Sequence, residues 1–293
     1  MPPRITPLTD SDPAASSRRP FWLASDAEGF PVGSASLRPF AEEGPERIAE
    51  LEIAVHPAER REGVGGTLLD TAVAAAREDG RVALVSRATA GSPGDAFLSA
   101  RGFRRVLALT FARLPLAELD LPAVTAIAER PHQGYGLTYW DGVVPSGLAQ
   151  SFADSRRAMD DMPMQDSARG IDVWDVERVV AVAEAVLKRG EALHTVAVVD
   201  RSNGSLVGFS ELVVPGDGLG DAQHYGTAVL PEHRGHGLGL WMKAESIRLA
   251  RLRYPELAGL LTDTADVNAP MIAVNDALGY RPTHRELEYR LDL

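Results

Sequence analysis

Alternating and β-branched stretches recur along the chain, and between them run segments whose apolar residues return every three or four positions. The first pattern predicts strands and the second helices, because strand side chains alternate faces while helical ones come back to one face about every 3.6 residues. In the first half, Phe21 to Ala24 and Val32 to Leu37 flank the turn Asp26-Ala27-Glu28-Gly29 and predict a hairpin, and Ile48 to Val55 predicts a further strand. Leu68, Leu69, Ala72, Val73 and Ala76 predict a helix closed by Gly80. The apolar run Val82 to Val85 follows, then a short helix ending at Ala100-Arg101-Gly102-Phe103 and a closing strand pair, Arg104 to Leu114. In the second half, Tyr135 to Val144 predicts a strand, Ser146 to Met159 a helix, and Val176, Val179, Val180, Ala183 and Leu187 an amphipathic helix capped by Gly190. Thr195 to Val199 and Leu206 to Val214 predict a hairpin around Asp200-Arg201-Ser202-Asn203-Gly204, and His224 to Val229 a strand. Leu240, Ala244 and Ile247 mark a helix that stops before Pro255. Leu257 to Leu261, a helix ending at Ala277-Leu278-Gly279-Tyr280 and a closing pair, Arg285 to Leu293, complete the series.

The two series contain one motif twice. Ile53-Ala54-Val55-His56-Pro57-Ala58-Glu59-Arg60-Arg61-Glu62-Gly63-Val64-Gly65 aligns without gaps on Thr227-Ala228-Val229-Leu230-Pro231-Glu232-His233-Arg234-Gly235-His236-Gly237-Leu238-Gly239, sharing Val-x-Pro-x-x-Arg-x-x-Gly-x-Gly. Each copy sits in the order strand, Pro-marked turn, Gly-rich loop, helix. The chain is therefore expected to be α/β (α+β), built from two tandem modules. About 110 residues precede the second motif after the first module ends and only about 50 precede the first, so the N-terminal module is truncated. Prolines 115, 122 and 131 mark the boundary, giving modules 1–118 and 119–293.

Composition narrows the chemistry. The 293 residues are 45% hydrophobic and 24% charged, ordinary values for a soluble protein, without an apolar run of the roughly 18 residues a membrane span needs. Met1 to Pro20 has no signal-peptide core, so a cytoplasmic address and no membrane partner are expected. The absence of cysteine excludes disulfides, thiolate metal sites, iron-sulfur clusters and cysteine nucleophiles, and no metal site is expected. The net charge of −11 argues against a nucleic-acid partner and suits a cationic small molecule. Lys188 and Lys243 are the only lysines, a bias toward arginine that reads as coding preference.

A strand passing through Arg-x-x-Gly-x-Gly into a helix offers unpaired backbone N–H groups at the positive end of the helix dipole, which makes an anion site fit for a diphosphate. Neither copy has the lysine of a P-loop, and the loop follows an antiparallel hairpin rather than the first strand of a dinucleotide fold. Arg234 can brace the loop or add charge.

With Val229 to Gly239 and the later Asn268-Ala269-Pro270-Met271-Ile272-Ala273-Val274-Asn275-Asp276-Ala277-Leu278-Gly279-Tyr280, the second half resembles the GNAT superfamily of N-acetyltransferases, and residues 20 to 114 resemble it more loosely. The paired modules are similar to the tandem arrangement of the mycothiol synthase group of actinobacteria. The resemblance implies two GNAT-like modules, each a mixed, mostly antiparallel sheet flanked by helices. It implies that backbone groups of Val229 and Leu230, on a splayed strand, pair with a pantetheine arm. It also implies that Arg234, Gly235, His236, Gly237, Leu238, Gly239 and Leu240 hold the diphosphate of acetyl-CoA, and that Asn268 touches the pantetheine or simply caps its helix. Val55, Arg60, Gly63 and Gly65 are the first-module counterparts.

Acetyl transfer from a thioester to an amine requires a neutral amine, a polarised carbonyl and an exit for the thiolate. Where family members often carry a glutamate base this chain has Gln223, and where many place an acidic tyrosine it has Asn275. Glu211 and His224 are the remaining base candidates: Glu211 also reads as an exposed hairpin carboxylate, and His224 is expected to point to the other face from Gln223. Asn275 can donate a hydrogen bond to the leaving sulfur. Tyr225 and Tyr280 are spare phenols. In the first module Gly91 and Leu98 replace Asn268 and Asn275, and Glu50 and Glu52 lie on its strand and could serve as bases, although alternating strand carboxylates are usually solvated; it reads as a degenerate copy that can still hold CoA. Trp140, Asp141, Met159, Asp160, Asp161, Met162 and Pro163 are expected to line an acceptor pocket suited to an ammonium group, with Met162 to Asp166 as a lid. The expected function is acetyl-CoA-dependent N-acetylation of the primary amine of a small molecule by direct attack, in the C-terminal module. The alternative is a catalytically silent CoA-binding regulator or scaffold. The oligomeric state is left open.

Overall fold

The computed structural model describes residues 3–8, 19–39, 47–160 and 173–293. In chain order the elements are β1 (Arg4–Leu8), β2 (Phe21–Ser25), β3 (Pro31–Pro39), β4 (Ile48–Val55), α1 (Val64–Glu78), β5 (Ala83–Thr89), α2 (Pro93–Ala100), β6 (Arg104–Pro115) and α3 (Leu121–Ala128). They continue with β7 (Tyr135–Asp141), α4 (Ala149–Ser155), α5 (Val176–Lys188), β8 (Ala192–Asp200), β9 (Leu206–Val214), β10 (Gly220–Val229), α6 (Leu238–Arg253), β11 (Leu257–Ala265), α7 (Ala269–Ala277) and β12 (Arg281–Asp292). Contacts divide the chain into two compact units. One holds the described residues up to Ala108 together with Glu286–Leu293, and the other the described residues between Leu109 and Arg285.

In the first unit the strand order is β1-β2-β3-β4-β5-β12, antiparallel except for the parallel pair β4 and β5. Its core joins Leu68, Leu69 and Ala72 of α1 to Trp22, Leu37, Leu51 and Leu84 of the sheet. In the second unit the order is β7-β8-β9-β10-β11-β6, again antiparallel except for β10 and β11. Every residue of β9 is buried because helices cover both its faces. Gly208 lies against Met242 of α6, while the next residue, Phe209, meets Phe152 of α4 edge-on at 5.6 Å. The run β2-β3-β4-α1-β5-α2 is thus repeated as β8-β9-β10-α6-β11-α7, and the mixed, mostly antiparallel sheets flanked by helices are those expected. The truncation is visible in the spacing: α4 and α5 stand between β7 and β8, whereas only residues 9–20 separate β1 from β2.

Three features differ from the sequence reading. β1 and α3 were not foreseen; Pro122 lies in the first turn of α3, where its missing N–H costs nothing, with Asp120 as the N-cap. The helix expected over Ser146 to Met159 is α4 followed by a 3-10 turn, Arg156–Met159. The closing strands are single, and each completes the other half's sheet. Leu109 to Pro115 of β6 pairs with β11, and Glu286 to Asp292 of β12 pairs with β5, so the units divide the chain differently from 1–118 and 119–293. Alternation identifies a strand's buried face but not the sheet that receives it. Here Leu287 and Tyr289 enter the first core and Ala112 and Leu114 the second unit's core. Among the described residues no helix is long and apolar enough to cross a membrane.

Candidate active site

The duplicated loops share one backbone conformation. In the second unit Gly235 (φ +80°) and Gly237 (φ +73°) are left-handed, and Gly237 is the N-cap of α6. In the first unit Arg61 (φ +74°) and Gly63 (φ +88°) take those places before α1. Six of the described helices have eight residues or more. α2, α3, α5 and α7 have their N-terminal N–H groups capped by the side chains of Ser92, Asp120, Asp175 and Asn268, and only α1 and α6 carry no side-chain cap. A left-handed glycine also keeps a Cβ away from those open amides. The two helices of the repeated motif are therefore the ones left open to an anion.

Each loop is tied to the strand before it. Arg234 Nε donates to Val229 O at 2.8 Å and its Nη2 to Ala158 O at 3.3 Å; Arg60 Nε donates to Val55 O at 3.2 Å. The arginines brace the loops in both units, one of the two roles expected of Arg234. In the second unit His132 stacks on Trp241 with centroids 4.2 Å apart, and its Nδ1–H donates to His236 O at 3.1 Å. Tyr135 Oη lies 3.0 Å from His233 Nδ1. Burial holds His132 below its usual pKa. No periodicity or spacing pointed to this aromatic collar.

Beside each loop two parallel strands part. β10 pairs with β11 only as far as Gln223 and Leu261, and β4 with β5 only as far as Glu50 and Val85. Beyond those points a cleft opens between His224–Val229 and Thr262–Ala265, with a register shift between His224 and Gly226 on its β10 wall. Leu230 N–H donates to Val207 O at 2.9 Å, so alternation turns the backbone groups of Val229 and Thr227 toward the opening. This corrects the expectation for Leu230, whose N–H is spent within the sheet; Thr227 holds the open backbone instead. His56 N–H donates to Val32 O and leaves Val55 facing the first unit's opening in the same way.

The catalytic candidates fall on opposite faces of the second sheet. Glu211 is buried rather than exposed. Its Oε1 accepts from Arg156 Nη2 at 2.5 Å, and the guanidinium lies 4.4–4.7 Å from the ring centres of Phe209, Trp174 and Phe152. Gly226 stands opposite Glu211 across the strand pair, with Met159 against it. His224 pairs with Leu212, on the face packed by α6, and is wholly buried. Burial and the neighbouring Lys243 drive its pKa well below the usual imidazole range, so the ring is uncharged and lies away from the Glu211 face. Asn275, also on the α6 side, accepts from Lys243 Nζ at 2.5 Å and donates to Thr264 Oγ1 at 2.9 Å. Asn268 accepts from Met271 N–H at 3.3 Å, the plain N-cap arrangement.

The expected acceptor pocket is only partly assembled. Met159 and Asp160 lie at the end of the 3-10 turn on the Glu211 face. Trp140 is instead a core residue, edge-on to Phe152, because its strand neighbours turn it inward. Asp141 turns to the opposite face, where it accepts from His194 Nδ1–H at 2.6 Å and Arg253 at 2.8 Å. Asp161, Met162 and Pro163, and the lid expected over Met162 to Asp166, lie outside the described residues. Two residues were missed. Asp263, exposed on β11, lies 3.5 Å from Gln223 Nε2, and Lys243 is buried beneath the cleft. A lysine in an otherwise arginine-biased chain was the available signal for the second.

Comparison with known proteins agrees with this geometry. The model of the acetyltransferase (GNAT) family matches residues 3–103 and again 159–280. A mycothiol acetyltransferase of Clavibacter michiganensis is 30% identical over 289 residues, covering 92% of this chain and 79% of its own, and one of Rhodococcus opacus is 28% identical, covering 91% and 81%. Among solved structures, a tandem GNAT protein from the clavulanic acid biosynthesis pathway superposes with a TM-score of 0.70 at 25% identity, covering 95% of this chain and 84% of its own. A GCN5-related N-acetyltransferase from Sphaerobacter thermophilus gives 0.68 at 16% identity over 93% and 80%, which speaks for the fold alone.

Proposed function

The chain belongs to the GNAT acetyltransferase family, as a tandem acyltransferase, and from that premise we propose that its second unit moves the acetyl group of acetyl-CoA to the primary amine of a small molecule. The observation that carries the reading is the uncapped N-terminus of α6, opened by two left-handed glycines, standing next to a cleft between two parted strands. The amides of Gly235 to Leu240 would hold the diphosphate, and the backbone of Thr227 and the N–H of Val229 the pantetheine amides, while Arg234, which takes the Val229 carbonyl, keeps loop and strand in register. When bound, acetyl-CoA supplies the activated carbonyl.

The acceptor enters on the face of Glu211, where Gly226 leaves the β10 wall without a side chain. Glu211 stands across from Gly226 on that wall and takes up the amine's proton, with Arg156 fixing its orientation through Oε1. The first unit keeps the loop, the brace and the opening, but residues 9–20 are too few to build the α4 and α5 layer that walls the acceptor side of the second unit. It is proposed to hold CoA without transferring.

Gly237→Val tests the central reading. A Cβ at φ +73° costs about 1–2 kcal/mol and displaces the neighbouring N–H groups from an anion. The strain weakens the fold in both free and bound states, and a loss of about 2 kcal/mol from the displaced N–H groups is about 30-fold in affinity. Calorimetry with CoA should show that loss at the second unit while the melting curve stays cooperative; an unchanged isotherm overturns the assignment.

A further inference from the structure

Beneath the cleft lies a buried polar cluster that the function so far leaves unused. Lys243 of α6 is 1% exposed, and its Nζ donates to Thr262 Oγ1 at 3.1 Å and to Asn275 Oδ1 at 2.5 Å. Both acceptors are neutral, and the nearby carboxylate of Asp263 acts on it only through space. His224 of β10, whose ring lies near the Glu211 backbone carbonyl, and Tyr280, which follows α7, add buried ring nitrogens and a hydroxyl that make no well-formed hydrogen bond among the described residues. The Lys243 Nζ sits 4.6 Å from the Tyr280 ring centre. Native interiors seldom leave polar atoms unpaired or a charge without a counter-charge, and each such group asks for an explanation. The explanation offered by position is that the missing partner arrives from the cleft, since Thr262 and Thr264 belong to the very stretch of β11 that β10 has left.

A buried cation seeks an anion, and acetyl transfer creates one. As the amine nitrogen forms its bond to the carbonyl carbon, the carbon–sulfur bond breaks and its electron pair goes to sulfur. The nitrogen's extra proton leaves toward the acceptor face. We propose that Lys243, acting through Asn275, is the positive charge that offsets the negative charge building on the leaving sulfur, so that CoA departs as a thiolate and takes its proton from solvent afterwards. Asn275 is then a polarised donor: Lys243 holds its Oδ1 and Thr264 one of its Nδ2 protons, which fixes the amide plane against the cleft. Lys243 is a positioning residue in this scheme, and preorganised charge aimed at a developing anion is the largest single contribution available to such a site. Desolvation lowers the Lys243 pKa to about 7, and the neutral His224 ring, the Asp263 carboxylate and the Tyr280 phenol are the titratable groups that face it. An entering thiolate would draw the proton back onto the lysine.

The inference rests on the proposed binding of CoA in the second cleft, and one experiment separates the two. Free CoA is bound to the full chain, its thiolate is followed by ultraviolet difference absorbance against pH, and binding heat is measured in parallel. The expected result is at least tenfold more thiolate on the protein than in free CoA at the same pH. That enrichment disappears in Lys243→Met and in Asn275→Leu, while CoA affinity changes by less than about threefold. Binding heat without thiolate enrichment, or enrichment that persists in both variants, overturns the role of Lys243. Absence of binding heat in the unaltered chain overturns the cofactor reading itself.

Discussion

Arg61 holds a left-handed backbone (φ +74°), the one non-glycine residue to do so among those described, at the loop position that Gly235 fills in the second unit. A Cβ there costs about 1–2 kcal/mol, and glycine's freedom in the unfolded chain returns part of it. Arg61→Gly should therefore raise Tm by about 2–4 °C in calorimetry with turnover unchanged; a lower Tm would mean that the side chain stabilises the loop more than its backbone strains it. Lys243 carries the opposite kind of cost. Its folded pKa of about 7 lies below the unfolded lysine value, so the unfolded state binds more protons between the two, and stability rises with pH across that window. Lys243→Met should be more stable than the parent by a few kcal/mol at pH 6, and the gap should close toward pH 10 in denaturant titrations. The loop glycines and the bracing arginine were legible because backbone conformation and a repeated spacing leave marks in sequence. The pairing of Glu211 with Arg156 was not, since alternation in a hairpin says which face a carboxylate takes but not what covers that face.

The strands and helices of the repeat were legible from their periods, and so was Asn268 as the cap of the proline-opened α7; the Ser92 and Asp120 caps were not read. α6 was harder. It is buried on nearly every side, including Lys243, Glu245 and Ser246, so its apolar residues form no clean stripe. The destinations of β6 and β12 were invisible, because nothing local in a strand names its neighbour. Their exchange has a measurable result. Tyr289 Oη donates to Asp95 Oδ1 at 2.5 Å, and Leu287 sits in the first core. Deleting 286–293 should strip protection from the amides of Ala83–Thr89 in hydrogen exchange, although those residues lie some two hundred positions away in sequence. Retained protection there would show that β5 needs no such neighbour.

At the scale of the molecule, a duplicated scaffold carries one complete set of acceptor-side elements and one abridged set. If labour is divided as proposed, Gly237→Val should cut turnover with a panel of primary amines at least tenfold at limiting acetyl-CoA, while Gly63→Val should weaken one of two CoA-binding events in the isotherm and leave turnover within about twofold. Loss of turnover in both variants would assign chemistry to both loops. The partition of the chain also bears on how such a protein can change over generations. Because the ribbon that finishes each half is encoded in the other, an excision that discarded the worn copy would unravel the working one, and a retained passenger can be maintained by the edge it lends rather than by any reaction of its own.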